Sequence, residues 1–266
     1  MLAAIDIGNT NIVVGVFDQG KLVSDFRVST RHLATSDEYA LLLDGLFLMA
    51  GIDFDGIDGA CMCSVVPPLT EVFETFIRRY LDCPLVQVGP GVRTGISISY
   101  ETPKDVGADR VANALAAHER FGTDVIIVDF GTATTFDAVT ASGEYLGGVI
   151  VPGVNVSLDA LFARTAKLPR VEMARPSGVI GRNTVHSIQS GAFYGYLSMV
   201  EGIVARMKEE MTQPVKALAT GGLASLLCSD SGVIDEIDRD LTLHGLRLVW
   251  EKNMPRPLSD PESQDH

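Results

Sequence analysis

Apolar residues open the chain from Met1 to Ile7, interrupted only by Asp6, and the turn signal Gly8-Asn9-Thr10-Asn11 follows. Ile12 to Phe17 is a second β-rich run, closed by the strong hairpin signal Asp18-Gln19-Gly20. Lys21 to Thr30 then alternates as a third strand, so three consecutive antiparallel strands are the simplest reading. A helical pattern occupies Ser36 to Ala50, with Ser36 as the expected cap, Asp37 and Glu38 in its first turn and Gly51 as its stop. Ala60 to Val66 reads as a buried strand. Leu69 to Leu81 reads as an amphipathic helix with Pro67 and Pro68 just before it, and Leu85 to Val88 as a short strand. A glycine-rich loop spans Gly89 to Gly95, and Pro103 to Arg120 holds a helix that ends near Phe121-Gly122.

The opening pattern then returns. Val125-Ile126-Ile127-Val128 leads into Asp129, the turn Phe130-Gly131-Thr132, a strand containing Asp137, the turn Ala141-Ser142-Gly143 and a third strand from Tyr145 to Val151. A shift of 123 positions lays Asp6 on Asp129, Gly8 on Gly131 and Gly20 on Gly143. Self-similarity of this kind constrains architecture more than any single motif. It predicts an α/β protein of two lobes, residues 1–121 and 122–254, each carrying a β-hairpin whose Asp-x-Gly turn faces a shared cleft. Beyond Pro152-Gly153 the pattern gives helices at Asn155 to Thr165 and Asn183 to Met211 and a strand at Lys216 to Ala219. The turn Thr220-Gly221-Gly222 then opens another helix, and a last helix covers Asp240 to Lys252. Residues 255–266 are proline-rich and polar, the composition of a disordered tail.

Composition narrows the function. Hydrophobic residues make up 46% of the 266, enough for a substantial core. The net charge of −13 repels nucleic-acid backbones and anionic membranes, so neither is an expected partner. It leaves phosphate ligands open, because backbone amides and helix N-termini bind them locally. The first residues lack the basic start and long apolar stretch of a signal peptide, and the run Leu41 to Ala50 is too short to cross a bilayer. A cytoplasmic location is the expectation. Cys61 and Cys63 alternate on one strand face, and with Cys83 and Cys228 they match no zinc spacing, so all four read as reduced thiols. The histidines show no metal spacing either.

Two Asp-x-Gly turns after apolar strands suit phosphate: glycine lets several amides converge, and a carboxylate can hold a metal ion through water. A single such turn can also be only a turn. Asp109, in Gly107-Ala108-Asp109-Arg110 at a helix start, is either a dipole-compensating acid or a general base for a hydroxyl that attacks a γ-phosphate. In the second case Arg110 holds the substrate or neutralises charge. Thr220-Gly221-Gly222 lets backbone pass beside an adenine or ribose, or simply starts a helix.

Taken together, Asp6 to Asn11, Gly107 to Arg110, Asp129 to Ala133, Gly181-Arg182-Asn183-Thr184 and Thr220 to Gly222 resemble the type III pantothenate kinases. These belong to the superfamily of actin, heat-shock chaperones and sugar kinases. The resemblance covers nearly the whole chain. It implies two ribonuclease-H-like (actin-like ATPase) lobes, each a mixed sheet flanked by helices, with ATP between them, and phosphorylation of pantothenate at the start of coenzyme A synthesis. Asp6, Ile7, Gly8, Asn9, Thr10 and Asn11 would line the first phosphate site, Gly131 and Thr132 the second, and Gly221 and Gly222 would also meet ATP. Asp109 would accept the proton, and Tyr100, Gly107, Ala108, Asp109 and Arg110 would contact pantothenate. Thr184 would complete the pocket from a neighbouring subunit, implying a homodimer. Asp129 would bind a monovalent cation, K+ or NH4+, and Mg2+ would accompany ATP. Cys61-Met62-Cys63-Ser64 stands where a serine-rich stretch is expected, and it is expected to touch none of these residues. The rival readings are another small-molecule kinase of the superfamily and a non-catalytic nucleotide-binding regulator.

Overall fold

The computed structural model describes residues 1–211, 214–229 and 231–254. The expected tail at 255–266 lies outside the described residues. The chain forms two compact units. The first comprises Met1–Gly95, Gly107–Ala112 and the stretch from Thr242 on, and the second Ile96–Val106 and Asn113–Leu241.

In the first unit, β1 (Leu2–Ile7), β2 (Asn11–Asp18) and β3 (Lys21–Ser29) form the expected antiparallel meander, and β4 (Gly59–Ser64) and β5 (Leu85–Gln87) add in parallel. The strand order is β3-β2-β1-β4-β5. Gln19 and Gly20 both have positive φ, the backbone that a two-residue turn between twisted strands requires. One sheet face presents Ile5, Ile7, Ile12, Val14 and Met62 to helices α1 (Ser36–Met49) and α2 (Pro67–Phe76), where Tyr39, Leu43, Phe47, Leu69, Phe73 and Phe76 complete a dry core. Each such side chain contributes roughly 1.5–3 kcal/mol of burial, so this face fixes the register of the unit. The cap of α1 is Thr35 and not Ser36. Thr35 accepts from the Glu38 amide while Glu38 reaches back to the Thr35 amide, a reciprocal pair that Ser36, one residue later, could not form. Both prolines lie inside the first turn of α2, where a missing N–H costs nothing, and a wider π-helical turn at Ile77–Leu81 completes the predicted helical stretch.

The second unit repeats this plan. Strands β7 (Asp124–Phe130), β8 (Ala133–Val139) and β9 (Glu144–Pro152) form an antiparallel meander, and β10 (Val215–Gly221) and β11 (Glu236–Ile237) add in parallel. One further short strand, β6 (Ser97–Ile98), pairs with β9 at the edge, giving the order β11-β10-β7-β8-β9-β6. Ile126, Val128, Phe130, Phe136, Ala217 and Ala219 pack beneath α5 (Thr184–Glu210) and α6 (Ala224–Cys228) through Phe193, Val200, Val204 and Leu227. Helix α4 (Val154–Ala163) follows β9. The expected α/β arrangement, two mixed sheets flanked by helices, is therefore what the chain forms.

The units interleave in sequence instead of dividing at residue 121. Ile96–Val106 joins the second because β6 hydrogen-bonds to β9. Helix α7 (Leu241–Asn253) joins the first because Leu243 packs over Gly15, Trp250 over Gly59, and Gly245 lies against the Ala112 backbone. The predicted helix at Pro103–Arg120 is two pieces, a 3₁₀ turn at Pro103–Asp105 and α3 (Ala108–Phe121). The break at Val106-Gly107 places Asp109 in a helical first turn.

Candidate active site

In the first unit, Asp6 stands near the end of β1, directly beside Cys63 on β4 and opposite Val13 on β2. The Cys63 thiol donates to Asp6 Oδ1 at 3.3 Å. The expectation that the cysteine pair touches no site residue is thus corrected: the parallel register that pairs Asp6 with Cys63 sends both side chains to one face. Burial, then the charge of Asp109, raise the Asp6 pKa from 3.8 to about 7, against the thiol hydrogen bond and Arg27, which lower it. Burial and the same two carboxylates hold the Cys63 thiol well above its ordinary range, so it stays protonated and able to donate. Asp109 therefore lies within electrostatic reach of Asp6, and its Oδ1 accepts from the Arg110 amide at 2.8 Å. That carboxylate folds over Gly107, where a Cβ would collide with it, and Arg110 is buried.

The adjoining turn is held by its own backbone and by Thr30. Gly8 N donates to Asn11 O, Thr30 Oγ1 donates to Gly8 O at 2.6 Å, and Thr30 N donates to Thr10 O. Asn9 and Thr10 are exposed, as a phosphate-facing turn requires. Ile7 lies in the core and contributes backbone only.

The second unit builds a related turn one residue shorter. Ile7 pairs with Ile12 across Gly8–Asn11, whereas Phe130 pairs with Thr134 across Gly131–Ala133. Gly131 N donates to Ala133 O, Thr132 O accepts from Gly153 N, and Gly131 and Thr132 are exposed. Asp129 Oδ2 accepts from Asn113 Nδ2 at 3.1 Å, and Asp129 sits between Thr135 on β8 and Thr220 on β10. At Gly221, φ is +89°, and a Cβ would lie 2.7 Å from both Asp129 Oδ1 and the Phe130 carbonyl oxygen. Only glycine leaves those two oxygens clear. They offer the hard, oxygen-only donor set that suits a monovalent cation or Mg2+. Among the described residues no cluster of three or more His, Cys, Asp or Glu side chains is arranged to hold a metal. Gly222 is exposed in the turn before α6, a helix of five residues.

The other predicted residues of this unit stand on other elements. Tyr100 follows β6 and sets its ring against Gly147 and edge-on to Tyr145. Thr184 is the first residue of α5, after the cap Asn183, whose side chain accepts from the His186 amide. It lines an open groove of about 670 Å³ with Val154, Leu158, Leu161 and Ile188.

The family model described as type III pantothenate kinase matches residues 2–206. The chain belongs to that family. A type III pantothenate kinase of Myxococcus xanthus is 54% identical over 253 residues, which span 95% of this chain and 99% of the relative. One from Geotalea daltonii is 52% identical with the same coverage. Among solved structures, a Campylobacter jejuni protein assigned to the Baf family of transcriptional activators has a TM-score of 0.59 at 17% identity, covering 94% of this chain and 98% of its own. The ethanolamine utilization protein EutJ of Carboxydothermus hydrogenoformans has a TM-score of 0.55 at 14% identity, covering 93% and 89%. At these identities the two structures establish the shared fold alone. Among the described residues no helix is long and apolar enough to cross a membrane.

Several residues of this candidate site escaped sequence reasoning. Thr30 pins the first turn from a distant strand and carries no local signal. Asn113 falls four residues after Asp109, one helical turn, a spacing that was visible. Cys63 became visible only with the register of β4 against β1.

Proposed function

We propose that this chain transfers the γ-phosphoryl group of ATP to the primary hydroxyl of pantothenate, the first step of coenzyme A synthesis, with Asp109 as proton acceptor. The observation that carries this reading is the cluster of Asp6, Cys63 and Asp109 beside a Gly8–Asn11 turn whose Asn9 and Thr10 are exposed. Phosphoryl transfer asks the protein chiefly for positioning and charge stabilisation. Amides of Asn9, Thr10 and Asn11 hold phosphate oxygens while Gly8 lets the chain approach them closely, and Thr132, beside Gly131, does the same from its own turn. Gly221 and Gly222 accommodate the remainder of the nucleotide. Gly107, Ala108 and Arg110 bind the acceptor, as do Tyr100 and Thr184. Asp109 receives the hydroxyl proton as the oxygen attacks phosphorus in line with the departing ADP.

Mg2+ bound with ATP, and K+ or NH4+ held by Asp129 and the Phe130 carbonyl, would supply positive charge against the phosphates. The net charge of −13 fits a cytoplasmic enzyme of small molecules, without nucleic-acid or membrane partners. The apolar groove beside Thr184, flanked by exposed Val179, Ile180 and Val185, supports a homodimer in which a second copy covers this face and the pocket is shared.

A coupled ADP-release assay with and without pantothenate, in K+ and in Na+, tests the reaction. ADP formed equally without pantothenate would overturn it. Mixing Asp109→Asn with Thr184→Arg subunits tests the shared pocket. Partial recovery of activity is expected, and none after confirmed subunit exchange would exclude sharing.

A further inference from the structure

Asp137 is a carboxylate with no exposed surface, on β8, outside every motif that carries the family resemblance. Removing a carboxylate from water costs several kcal/mol unless it is well partnered. Its partners are specific: the Tyr145 hydroxyl donates to Oδ1 at 2.6 Å, and Thr135 Oγ1 donates to Oδ2 at 3.1 Å.

This contact exists because of a β-bulge. Along β8 and β9, Asp137 pairs with Gly148 and Ala138 with Gly147, but Val139 pairs with Tyr145, leaving Leu146 without a partner. Strand faces alternate with period two, so regular pairing would send Tyr145 to the face opposite Asp137. The extra residue returns it to the same face.

Tyr145 in turn supports Tyr100. The two rings meet edge-on with centroids 6.5 Å apart, and the Tyr145 carbonyl accepts from Ser99 N, one residue before Tyr100. Tyr100 is 41% exposed and follows a strand of only two residues, so little else in its own segment fixes the ring.

We propose that Asp137 and Tyr145 are positioning residues for acceptor binding: the buried carboxylate orients the Tyr145 ring, which seats Tyr100 for pantothenate. This rests on the reading of Tyr100 as an acceptor contact. Packing alone would be served by a phenylalanine at 145, so Tyr145→Phe isolates the hydroxyl.

Steady-state kinetics for both substrates test the assignment, on Tyr145→Phe, Tyr100→Ala and the double variant. Asp137→Asn serves in place of Tyr145→Phe should the latter not fold. Tyr145→Phe is expected to raise KM for pantothenate about tenfold while KM for ATP stays within about twofold, the scale of a lost hydrogen bond. Tyr100→Ala raises it at least as far, and the double variant matches Tyr100→Ala alone, because the hydroxyl acts through that ring. Equal rises in both KM values, or a double variant whose effects multiply, would show a general packing role and overturn the proposal. An unchanged KM in Tyr145→Phe alongside a raised one in Tyr100→Ala overturns it while leaving the acceptor reading intact. An unchanged KM in Tyr100→Ala brings down both.

Discussion

The two sheets share strand order, meander and bulge, yet they use the bulge differently. In the first unit the unpaired residue is Val23, and Phe17 faces Leu22 where Val139 faces Tyr145 in the second. The space beside Leu22 is occupied by Gly15 and by Leu243 of α7, an apolar seam. In the second unit the same device brings a tyrosine hydroxyl to a buried carboxylate. The two Asp-x-Gly acids differ in the same sense. Asp6 has Val13 and a thiol beside it and another carboxylate within reach, whereas Asp129 sits between two threonines and accepts from an asparagine. A duplicated backbone thus carries two electrostatic environments, because the residues that meet across its strands were free to differ while the pleat kept their directions.

The largest effect that bears on this contrast is Asp109→Asn, which leaves Asp6 without its neighbouring charge. Turnover should fall by about 10²- to 10⁴-fold, the usual contribution of a general base, with KM for ATP little changed. Retained turnover would remove Asp109 from the chemistry. Next, Gly148→Ala places a Cβ into the Phe136 carbonyl of the second sheet. Urea unfolding should show a loss on the order of 3 kcal/mol, whereas Gly45→Ala in the first unit's helix α1, with open space around it, should gain up to about 1 kcal/mol. A neutral Gly148→Ala would mean that β8 and β9 are not so closely apposed.

The raised pKa of Asp6 also predicts a pH dependence. The folded chain holds the Asp6 proton more tightly than the unfolded chain, about 7 against 3.8. Its contribution to stability is therefore fully present at low pH and is lost as pH rises from about 4 through about 7. The unfolding midpoint of ligand-free protein should decline across that window, and Asp6→Asn should flatten the decline. On the proposed cation role of Asp129, Asp129→Asn should remove the K+ dependence of turnover. An unaltered slope in Asp6→Asn would assign the titration elsewhere. The smallest effect concerns the thiol. Cys63→Ala removes a hydrogen bond that lowers the Asp6 pKa, so the midpoint of the decline should move up by less than about one pH unit, and Cys63→Ser should move it down. Shifts in the reverse order would show that the thiol does not donate to Asp6.

Much of this was legible beforehand. Apolar runs before Gly8 and Gly131, each followed by turn signals and further β-rich runs, specified both meanders, and the shift of 123 residues revealed the duplication. The one-residue difference between the first turns was hidden, because the second turn compensates: Asp18 pairs with Lys21 around two residues, whereas Thr140 N reaches Glu144 O around three. The interleaving of the units was hidden as well, since α7 returns to the first sheet through packing with Gly15, Gly59 and Ala112 that leaves no local pattern.

Sequence by itself determined both meanders, the longer helices, the repeated Asp-x-Gly turns and the family, because propensity, turn chemistry and hydrophobic period act over a few residues. Tertiary structure alone decided that Cys63 meets Asp6, that Asp109 weakens that acid, and that a bulge turns Tyr145 toward Asp137. Those outcomes depend on register between strands, and register is set by the packing of whole faces.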